Sequence, residues 1–375
     1  MKLRNATIVM PGKTIPNGWI EVDDGLIQAI GSGDVEGIDL EGAILLPGFI
    51  DQHIHGGFGV DFMRATAQEL DHFGQSVVAH GVTSYLATTL TEDLPVIEQA
   101  LKSLGQYQSS QAPAQAQMVG IHLEGPFVHP EFPGAQSQHH ILPPDKVQLK
   151  AFQSLAAQSI RLMTYAPEWG HSLFTSYAVQ LGIVPSIGHS SATLEEVDAA
   201  IAEGAQQITH FHNASSPYHH RRPGVVNAGL YRDIAVELIA DGYHLDPLVV
   251  DGVQRLKGAD KVHLITDAIS AMGQADGTYS LGPYQVTKDH HTVRLADGTL
   301  AGSVVTFPHI LQNIQAWTTA SLPNIAQMTS TNQATLLGLQ DRGSIEVGKR
   351  ADLVVVNADF EILQTYVKGT KVFER

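Results

Sequence analysis

Eight short apolar runs alternate with helix-like stretches through the middle of the chain, and this repeat restricts the possible folds more than any other feature. The runs are rich in β-branched residues and lie near residues 44–54, 82–89, 118–124, 160–166, 183–188, 207–211, 235–240 and 261–267. Between them, stretches such as residues 193–201 have helical spacing, with Ser191 or Thr193 available as the cap. Eight buried strands alternating with helices predict an α/β fold, a (β/α)8 TIM barrel, although periodicity alone also fits a doubly wound open sheet.

The two ends of the chain differ from this middle part. Residues 6–43 and 343–375 contain short β-like runs, which Pro-Gly, Asp-Gly and Gly-Ser-Gly turns separate in the first of these segments. We therefore predict one small sheet domain that is formed by both termini, residues 1–46 and 341–375, and a barrel domain of residues 47–340.

Charge and composition exclude several classes of protein. The 375 residues include 38 acidic and 22 basic side chains, and the formal charge of −16 argues against a surface that binds nucleic acid or an anionic membrane. The chain has no cysteine, so a metal site would need histidines and carboxylates. It begins without a signal-peptide pattern, and no apolar run approaches the roughly 20 residues of a spanning helix. We expect a soluble, cytoplasmic protein without nucleic-acid or membrane partners.

Polar residues stand where most of the predicted strands end, which is the side of a barrel that carries the active site. Six of the eight runs end in, or lead to, a histidine or an acidic residue, and these residues are His53, His55, His122, Glu124, His189, His210, His212, Asp241, His244 and Asp267. His53 and His55 point to the same side, because side chains alternate along a strand. Taken singly, a strand-end histidine is more often a hydrogen-bonded structural residue than a ligand.

The joint placement of these residues favours a metal centre. Charged and polar groups at buried strand ends are costly unless something binds there. Five nitrogen and oxygen donors suit one or two Zn²⁺ or Fe²⁺ ions, and the donors are His53, His55, Glu124, His189 and His210. Asp267 stands beside them and is predicted to bind the metal as well. A divalent ion lowers the pKa of bound water from about 16 to about 7, so the pattern predicts metal-assisted hydrolysis.

Seven motifs, spread over nearly the whole chain, resemble those of the amidohydrolase superfamily and, within it, the N-acetylglucosamine-6-phosphate deacetylase family. They are PGFIDQHIHG at 47–56, GIHLEGPF at 120–127, GHS at 188–190, THFHNA at 209–214, RRPG at 221–224, IADGYH at 239–244 and TDA at 266–268. The resemblance implies a metal-dependent barrel with a flanking β-sandwich that works as a homodimer. It implies hydrolysis of a linear amide, the acetamide of N-acetylglucosamine 6-phosphate, to glucosamine 6-phosphate and acetate.

The resemblance also implies a role for each motif residue. Glu124, His189 and His210 would bind the principal metal, and Asp267 would activate water as a base and then protonate the leaving amine. The substrate contacts would be His244 at the acetyl carbonyl, and Asn213, the Ala214 backbone N–H and Arg221 at the sugar phosphate. Because relatives with both first-strand histidines hold two metals, we expect two ions of Zn or Fe per subunit, with Glu124 as the bridge.

Some choices stay open at this point. Arg222 competes with Arg221 for the phosphate, and in relatives this arginine can come from the partner subunit. The substrate could be N-acetylgalactosamine 6-phosphate or another N-acyl amine instead. A catalytically inactive relative is disfavoured, because Asp267 and all the metal ligands are present. Residues 270–303 could close over the substrate, whereas Ser303 is expected to cap the helix that follows.

Overall fold

The fold is a barrel of eight parallel strands, seen in a computed structural model that describes residues 1–170 and 173–375. Each predicted run coincides with one barrel strand to within a few residues, and the barrel strands are Phe49–Ile54, Val82–Thr88, Gln117–Glu124, Ile160–Tyr165, Val184–Ile187, Gln207–Ile208, Ala235–Leu238 and Val262–Leu264. Every neighbouring pair in this order is parallel. Hydrogen bonds from Asp267 N to His53 O (2.9 Å) and from His55 N to Ala268 O (2.8 Å) join the last segment to the first. The barrel prediction is confirmed, and an open sheet is excluded.

A helix follows each barrel strand before the next one begins. The eight helices are Ala67–Val77, Leu94–Gln108, Lys146–Leu155, Phe174–Gln180, Leu194–Glu203, Val225–Tyr231, Pro247–Lys257 and Phe307–Trp317. Two short helices, Leu322–Ala326 and Asn332–Leu336, flank a π-helical turn at Gln327–Thr331, and single 3₁₀ turns lie at Val78–His80, Gln138–His140, Pro167–Trp169 and Ala259–Lys261. Thr193 caps the fifth helix, because its side chain accepts from Glu196 N and the Glu196 side chain completes the capping box.

Both termini form a second, mostly antiparallel sheet of eight strands. These strands are Lys2–Met10, Lys13–Asp23, Leu26–Ser32, Ile38–Asp39, Ile44–Pro47, Leu353–Val356, Ile362–Val367 and Thr370–Glu374. The sheet has its own apolar core, which includes Ile8, Ile20 and Leu353. The predicted second unit from both ends of the chain is therefore present.

The apolar run at residues 44–54 serves both sheets. Ile44–Pro47 pairs with Leu353–Val356 in the terminal sheet, and Phe49–Ile54 begins the barrel. Gly48 stands between them, and a Cβ at this position would lie 2.2 Å from Thr83 Oγ1. Glycine is thus required where the chain passes from one sheet to the other.

A small three-stranded antiparallel sheet follows the eighth barrel strand, within the segment for which a lid was considered. Its strands are Gly277–Leu281, Tyr284–Asp289 and Thr292–Arg294, and a two-stranded ribbon of Gly56–Gly57 and Val60–Asp61 lies near the first barrel strand. The prediction that Ser303 caps a helix is wrong. The helix begins at Phe307, and Ser303 instead donates to Thr266 O (2.5 Å) and pairs with Ala268.

Within residues 1–170 and 173–375, none of the helices combines the length and the apolar composition that crossing a bilayer would require.

Candidate active site

Four imidazoles converge on one carboxylate at the C-terminal mouth of the barrel. Nε2 of His210 and His55 lies 3.1 and 3.2 Å from a carboxylate oxygen of Glu124, and Nε2 of His189 and His53 lies 3.4 and 3.5 Å away. All five side chains are buried. They form two groups that could hold a metal ion, one with His53 and His55 and one with His189 and His210, and Glu124 belongs to both.

The local backbone explains how residues so distant in sequence meet. His53 and His55 alternate with the buried Ile54 and so share one face of the first strand, and Glu124 is the last residue of the third. His189 and His210 follow the fifth and sixth strands with φ angles of 48° and 27°. Such left-handed conformations of non-glycine residues are uncommon and cost about 1–3 kcal/mol each, so the surrounding structure must hold them in place.

Hydrogen bonds at Nδ1 of His53 and of His189 orient these two rings with Nε2 towards Glu124. His53 Nδ1 lies 3.0 Å from Glu237 Oε2, and His189 Nδ1 lies 2.9 Å from Phe132 O. With these nitrogens occupied, Nε2 of each ring faces Glu124. Nε2 of His53 is buried and has no hydrogen-bond partner in the part of the chain that the structure describes. A divalent cation fits this set of imidazole and carboxylate donors, since it would take the free lone pairs.

Asp267 joins the same cluster from the end of the eighth strand. Its Oδ1 lies 3.4 Å from His53 Nε2 and 3.2 Å from His55 Nε2, and its backbone φ is 50°. Burial alone would raise the pKa of Asp267, but the charge of His53 and the hydrogen bond from His55 lower it to about 2. The carboxylate is therefore ionised and able to accept a proton.

A cavity of about 400 Å³ opens above this cluster. Its walls include eight of the residues that the motifs single out, namely His55, Glu124, His189, His210, Asn213, Ala214, His244 and Asp267. His53 lies deeper and is completely buried. Apart from this deeper ligand, the residues for which metal, proton-transfer and substrate roles were predicted thus surround one space, with a single exception.

That exception is Arg221. Arg221 and Arg222 are exposed and line a different cavity of about 550 Å³, together with Ser191 and Pro223. The structure of one chain does not bring either guanidinium to the cavity above the metal ligands. The resemblance had allowed for this separation, because in relatives the arginine can come from the partner subunit, but the order of the residues does not show it, since both arginines follow the sixth strand in the same loop as Asn213.

His244 enters the cavity from the loop after the seventh strand. Its Nδ1 lies 2.7 Å from Asp241 Oδ2, and Asp241 Oδ1 accepts from the backbone nitrogens of Tyr243 and His244 at 2.8 Å each. Burial opposes ionisation of Asp241, but these hydrogen bonds lower its pKa below the ordinary value. Asp241 therefore fixes the ring so that Nε2 points away from the carboxylate.

His122 does not belong to the cluster, although it ends the same strand as Glu124. Its Nε2 lies 2.7 Å from Thr164 Oγ1 inside the barrel, and that hydroxyl lies 2.7 Å from Thr209 Oγ1. Burial lowers the pKa of His122 to about 3, so the ring is neutral. This strand-end histidine is a hydrogen-bonded structural residue.

Several lining residues carried no signal in the sequence. Gln136 donates to Glu124 Oε2 (2.8 Å) and accepts from Thr91 N (2.7 Å), so it holds the shared carboxylate from a loop without periodicity. Leu281, Arg294 and Thr299 reach the cavity from the three-stranded sheet and its following turn. These three residues, like Leu300 and Gly302, which also line it, belong to residues 270–303, the segment for which closure over the substrate was considered.

The amidohydrolase family profile matches residues 44–372 of the chain. The N-acetylglucosamine-6-phosphate deacetylase of Bacillus subtilis (strain 168) is 38% identical over 382 residues, which cover 99% of this chain and 96% of that protein. The N-acetylgalactosamine-6-phosphate deacetylase of Escherichia coli O157:H7 is 33% identical over 360 residues, with 94% and 95% covered.

Solved structures agree with these sequence relatives. The crystal structure of the N-acetylglucosamine-6-phosphate deacetylase from Thermotoga maritima superposes with a TM-score of 0.92 at 37% sequence identity, and the match covers 100% of both chains. The similarity therefore extends over the barrel and the terminal sheet together.

Proposed function

The chain belongs to the amidohydrolase family, and on this basis we propose that it removes the acetyl group of N-acetylglucosamine 6-phosphate, giving glucosamine 6-phosphate and acetate. The observation that carries the proposal is the convergence of four imidazoles, Glu124 and Asp267 on the floor of one cavity. The deacetylases of Bacillus subtilis and Thermotoga maritima, which are similar over nearly the whole chain, support the substrate.

The metal centre that we propose holds two divalent ions, Zn²⁺ or Fe²⁺. Glu124 with His189 and His210 would hold one ion, and Glu124 with His53 and His55 would hold the other. Bound ions would supply a Lewis acid for the acetyl carbonyl and lower the pKa of water. The absence of cysteine and the two histidine and glutamate groups support this choice of metals.

In the proposed reaction Asp267 moves the proton. As an ionised carboxylate it accepts a proton from the attacking water and later donates that proton to the departing amine. His244 would donate from Nε2 to the acetyl carbonyl oxygen. Its neighbour Asp241 holds the ring for this contact, because the carboxylate lies 2.7 Å from Nδ1.

For the sugar phosphate we propose contacts from Asn213, the Ala214 backbone N–H and Arg221. Asn213 and Ala214 line the cavity above the cluster. Arg221 lines another cavity of the same chain, so we assign it to the site of the partner subunit in a homodimer. Arg222 is the alternative to Arg221, because both guanidinium groups offer the forked donors that phosphate prefers.

A second substrate is N-acetylgalactosamine 6-phosphate. The Escherichia coli relative that is named for this substrate is 33% identical over nearly the whole chain. The two sugars differ only in the configuration of one hydroxyl, so a single contact in the cavity would decide between them.

We also propose that the enzyme acts in the cytoplasm and that its domains divide at residues 1–46, 47–340 and 341–375. The change of sheet at Gly48 supports the first boundary, and the strand at Leu353–Val356 is compatible with the second.

Acetate release by metal-analysed protein tests the proposal directly. The substrates would be the 6-phosphates of N-acetylglucosamine and N-acetylgalactosamine and both free sugars. We expect a strong preference for N-acetylglucosamine 6-phosphate. Equal turnover of the free sugars would contradict phosphate recognition, and a preference for the galacto phosphate would select the second substrate.

A further inference from the structure

Glu237 is a completely buried carboxylate inside the barrel that the proposed reaction does not use. It lies on the seventh strand, Ala235–Leu238, and none of its surface is exposed. Its Oε1 accepts from Gln52 Nε2 (2.8 Å) and Gln207 Nε2 (2.9 Å). Its Oε2 accepts from His210 N (3.1 Å) and lies 3.0 Å from His53 Nδ1. The carboxylate is thus met by four donors from two other strands, Gln52 and His53 on the first, and Gln207 on the sixth with His210 just after it.

Burying a charged carboxylate costs free energy. The hydrogen bonds from Gln52 and Gln207 do not explain this cost, because a neutral acceptor could serve both glutamine side chains. The two donors on Oε2 suggest why a carboxylate stands here. His53 and His210 belong to the two different groups that could hold a metal ion. Glu237 Oε2 therefore contacts one residue from each of the two ligand groups, on the side away from the cavity.

The contact with His53 decides how that ring can act. Facing a carboxylate oxygen, Nδ1 carries a hydrogen, so Nε2 is the nitrogen that a metal ion would take. Nε2 lies 3.5 Å from Glu124 Oε1 and 3.4 Å from Asp267 Oδ1, and it has no hydrogen-bond partner among the described residues. A carboxylate acceptor at Nδ1 is what a metal-binding imidazole of this kind needs on its far side.

The contact with His210 acts on the backbone. His210 follows the sixth strand with a φ of 27°, and its N–H donates to Glu237 Oε2. A non-glycine residue with a positive φ needs such support, because this backbone conformation is strained and persists only where neighbouring contacts hold it. The same oxygen thus holds the second ligand-bearing segment at a fixed distance from the first.

We propose that Glu237 is a positioning residue for the metal centre, which holds the His53 ring with Nε2 free and fixes the backbone that carries His210. The proposal rests on the ligand roles given above under the proposed function, but not on the identity of the substrate. It does not make Glu237 a catalytic residue, since the carboxylate lies below the ligands and does not line the cavity.

The test is the metal affinity of Glu237→Gln. Glutamine keeps the size of the side chain but has one acceptor oxygen, so it cannot meet four donors. We expect about 10- to 100-fold weaker binding of Zn²⁺, measured by chelator competition, together with a lower metal content after dialysis. Glu92→Gln is the matched control, because Glu92 is also buried but pairs with Arg64 (2.7 Å) away from the ligands. The control should bind Zn²⁺ as the unaltered protein does.

A double-mutant cycle separates positioning from a general loss of structure. The part of the effect that passes through His53 should vanish in a His53→Ala background, so Glu237→Gln should weaken Zn²⁺ binding less there than in the unaltered protein, and the remaining loss measures the support of the His210 backbone. An equal loss in both backgrounds would overturn the positioning of the His53 ring. Should Glu237→Gln fail to fold, Glu237→Asp replaces it, and the shorter carboxylate should restore part of the affinity relative to Glu237→Ala.

The outcomes distinguish this proposal from the proposed function. If the unaltered protein binds no divalent metal, the metal centre itself is wrong. If the unaltered protein and a folded Glu237→Gln bind Zn²⁺ equally tightly, the metal centre stands and the role of Glu237 is overturned. Equal losses in Glu237→Gln and Glu92→Gln would also overturn it.

Discussion

Asp267 is buried at a strand end, ionised, and held in a left-handed backbone conformation. Its N–H donates to His53 O (2.9 Å) and its carbonyl accepts from Ser303 N (2.8 Å), so neighbours on both sides fix the residue. This anchoring keeps the carboxylate within 3.4 Å of both first-strand imidazoles. At the residue scale, a fixed proton acceptor beside the ligands is the feature on which the proposed chemistry depends.

Asp267→Asn removes the proton acceptor and changes little else. Because the amide is nearly the same size and Asp267 is not needed to complete either ligand group, we expect the variant to keep its metal. Turnover should fall about 10²- to 10⁴-fold, the usual range for loss of a general base. Acetate release and elemental analysis of the same sample measure both quantities, and nearly normal turnover would reject the proton-transfer role.

His263 gives a prediction for the pH dependence of stability. Burial lowers the pKa of His263 to about 4, although the nearby Glu237 acts in the opposite direction. Between about pH 6.5 and pH 4, His263 binds a proton in the unfolded chain but stays neutral in the folded barrel. The free energy of unfolding is therefore highest above pH 6.5 and decreases as the pH falls towards 4. His263→Gln should lack this dependence.

The expected difference is about 2 kcal/mol. The free energy of unfolding is measured by denaturant at pH 7.5 and at pH 5. Its decrease from pH 7.5 to pH 5 should be about 2 kcal/mol smaller in His263→Gln than in the unaltered protein. His72→Gln, at an exposed position, serves as the control and should follow the unaltered protein. A pH dependence that is the same in all three proteins would contradict the prediction.

At the element scale, the three-stranded sheet covers one side of the cavity and is tied to the active site through the backbone. Val293 O accepts from Ala301 N (3.0 Å), and two residues later Ser303 N donates to Asp267 O (2.8 Å). Arg294 pairs with Leu300 across this turn, and both residues line the cavity. Arg294 is the one arginine among the lining residues in the described part of the chain.

Because an arginine attracts phosphate, Arg294→Ala should weaken binding of the phosphorylated substrate. We expect KM for N-acetylglucosamine 6-phosphate to rise about tenfold, which corresponds to one charged hydrogen bond, while kcat stays nearly unchanged. The free sugar supplies the control, since its kcat/KM should not change. An equal loss for both sugars would show that Arg294 supports the fold of the sheet rather than the phosphate.

The elements also differ in how far the sequence could predict them. The eight barrel strands were predictable because each lies in a short run rich in apolar and β-branched residues, and the ligands because they stand at the strand ends. The division of residues 44–54 between two sheets was not predictable, since apart from Gly48 the apolar residues continue from Ile44 to Ile50 across the junction. Glu237 was overlooked, although a single charge within an apolar run is a signal of a buried ion pair or hydrogen-bond network.

At the scale of the whole molecule, the separation of Arg221 from the ligands predicts shared active sites. If Arg221 serves the partner subunit of a homodimer, Arg221→Ala and Asp267→Asn chains should each be inactive alone. When the two are co-expressed, a mixed dimer contains one intact site. Random pairing makes half of the dimers mixed, so we expect about a quarter of the normal activity. Activity that stays absent in the mixture would contradict a contribution of Arg221 from the partner.

The pairing of Ile44–Pro47 with Leu353–Val356 has a consequence for biosynthesis. A ribosome makes some 300 residues between these two strands, and translation proceeds at about 5–20 residues per second. For many seconds the early strand therefore offers an open edge to other nascent chains. That edge is covered only when the C-terminal segment has emerged. A prematurely terminated chain would therefore keep an unpaired strand edge that can pair with other chains and aggregate.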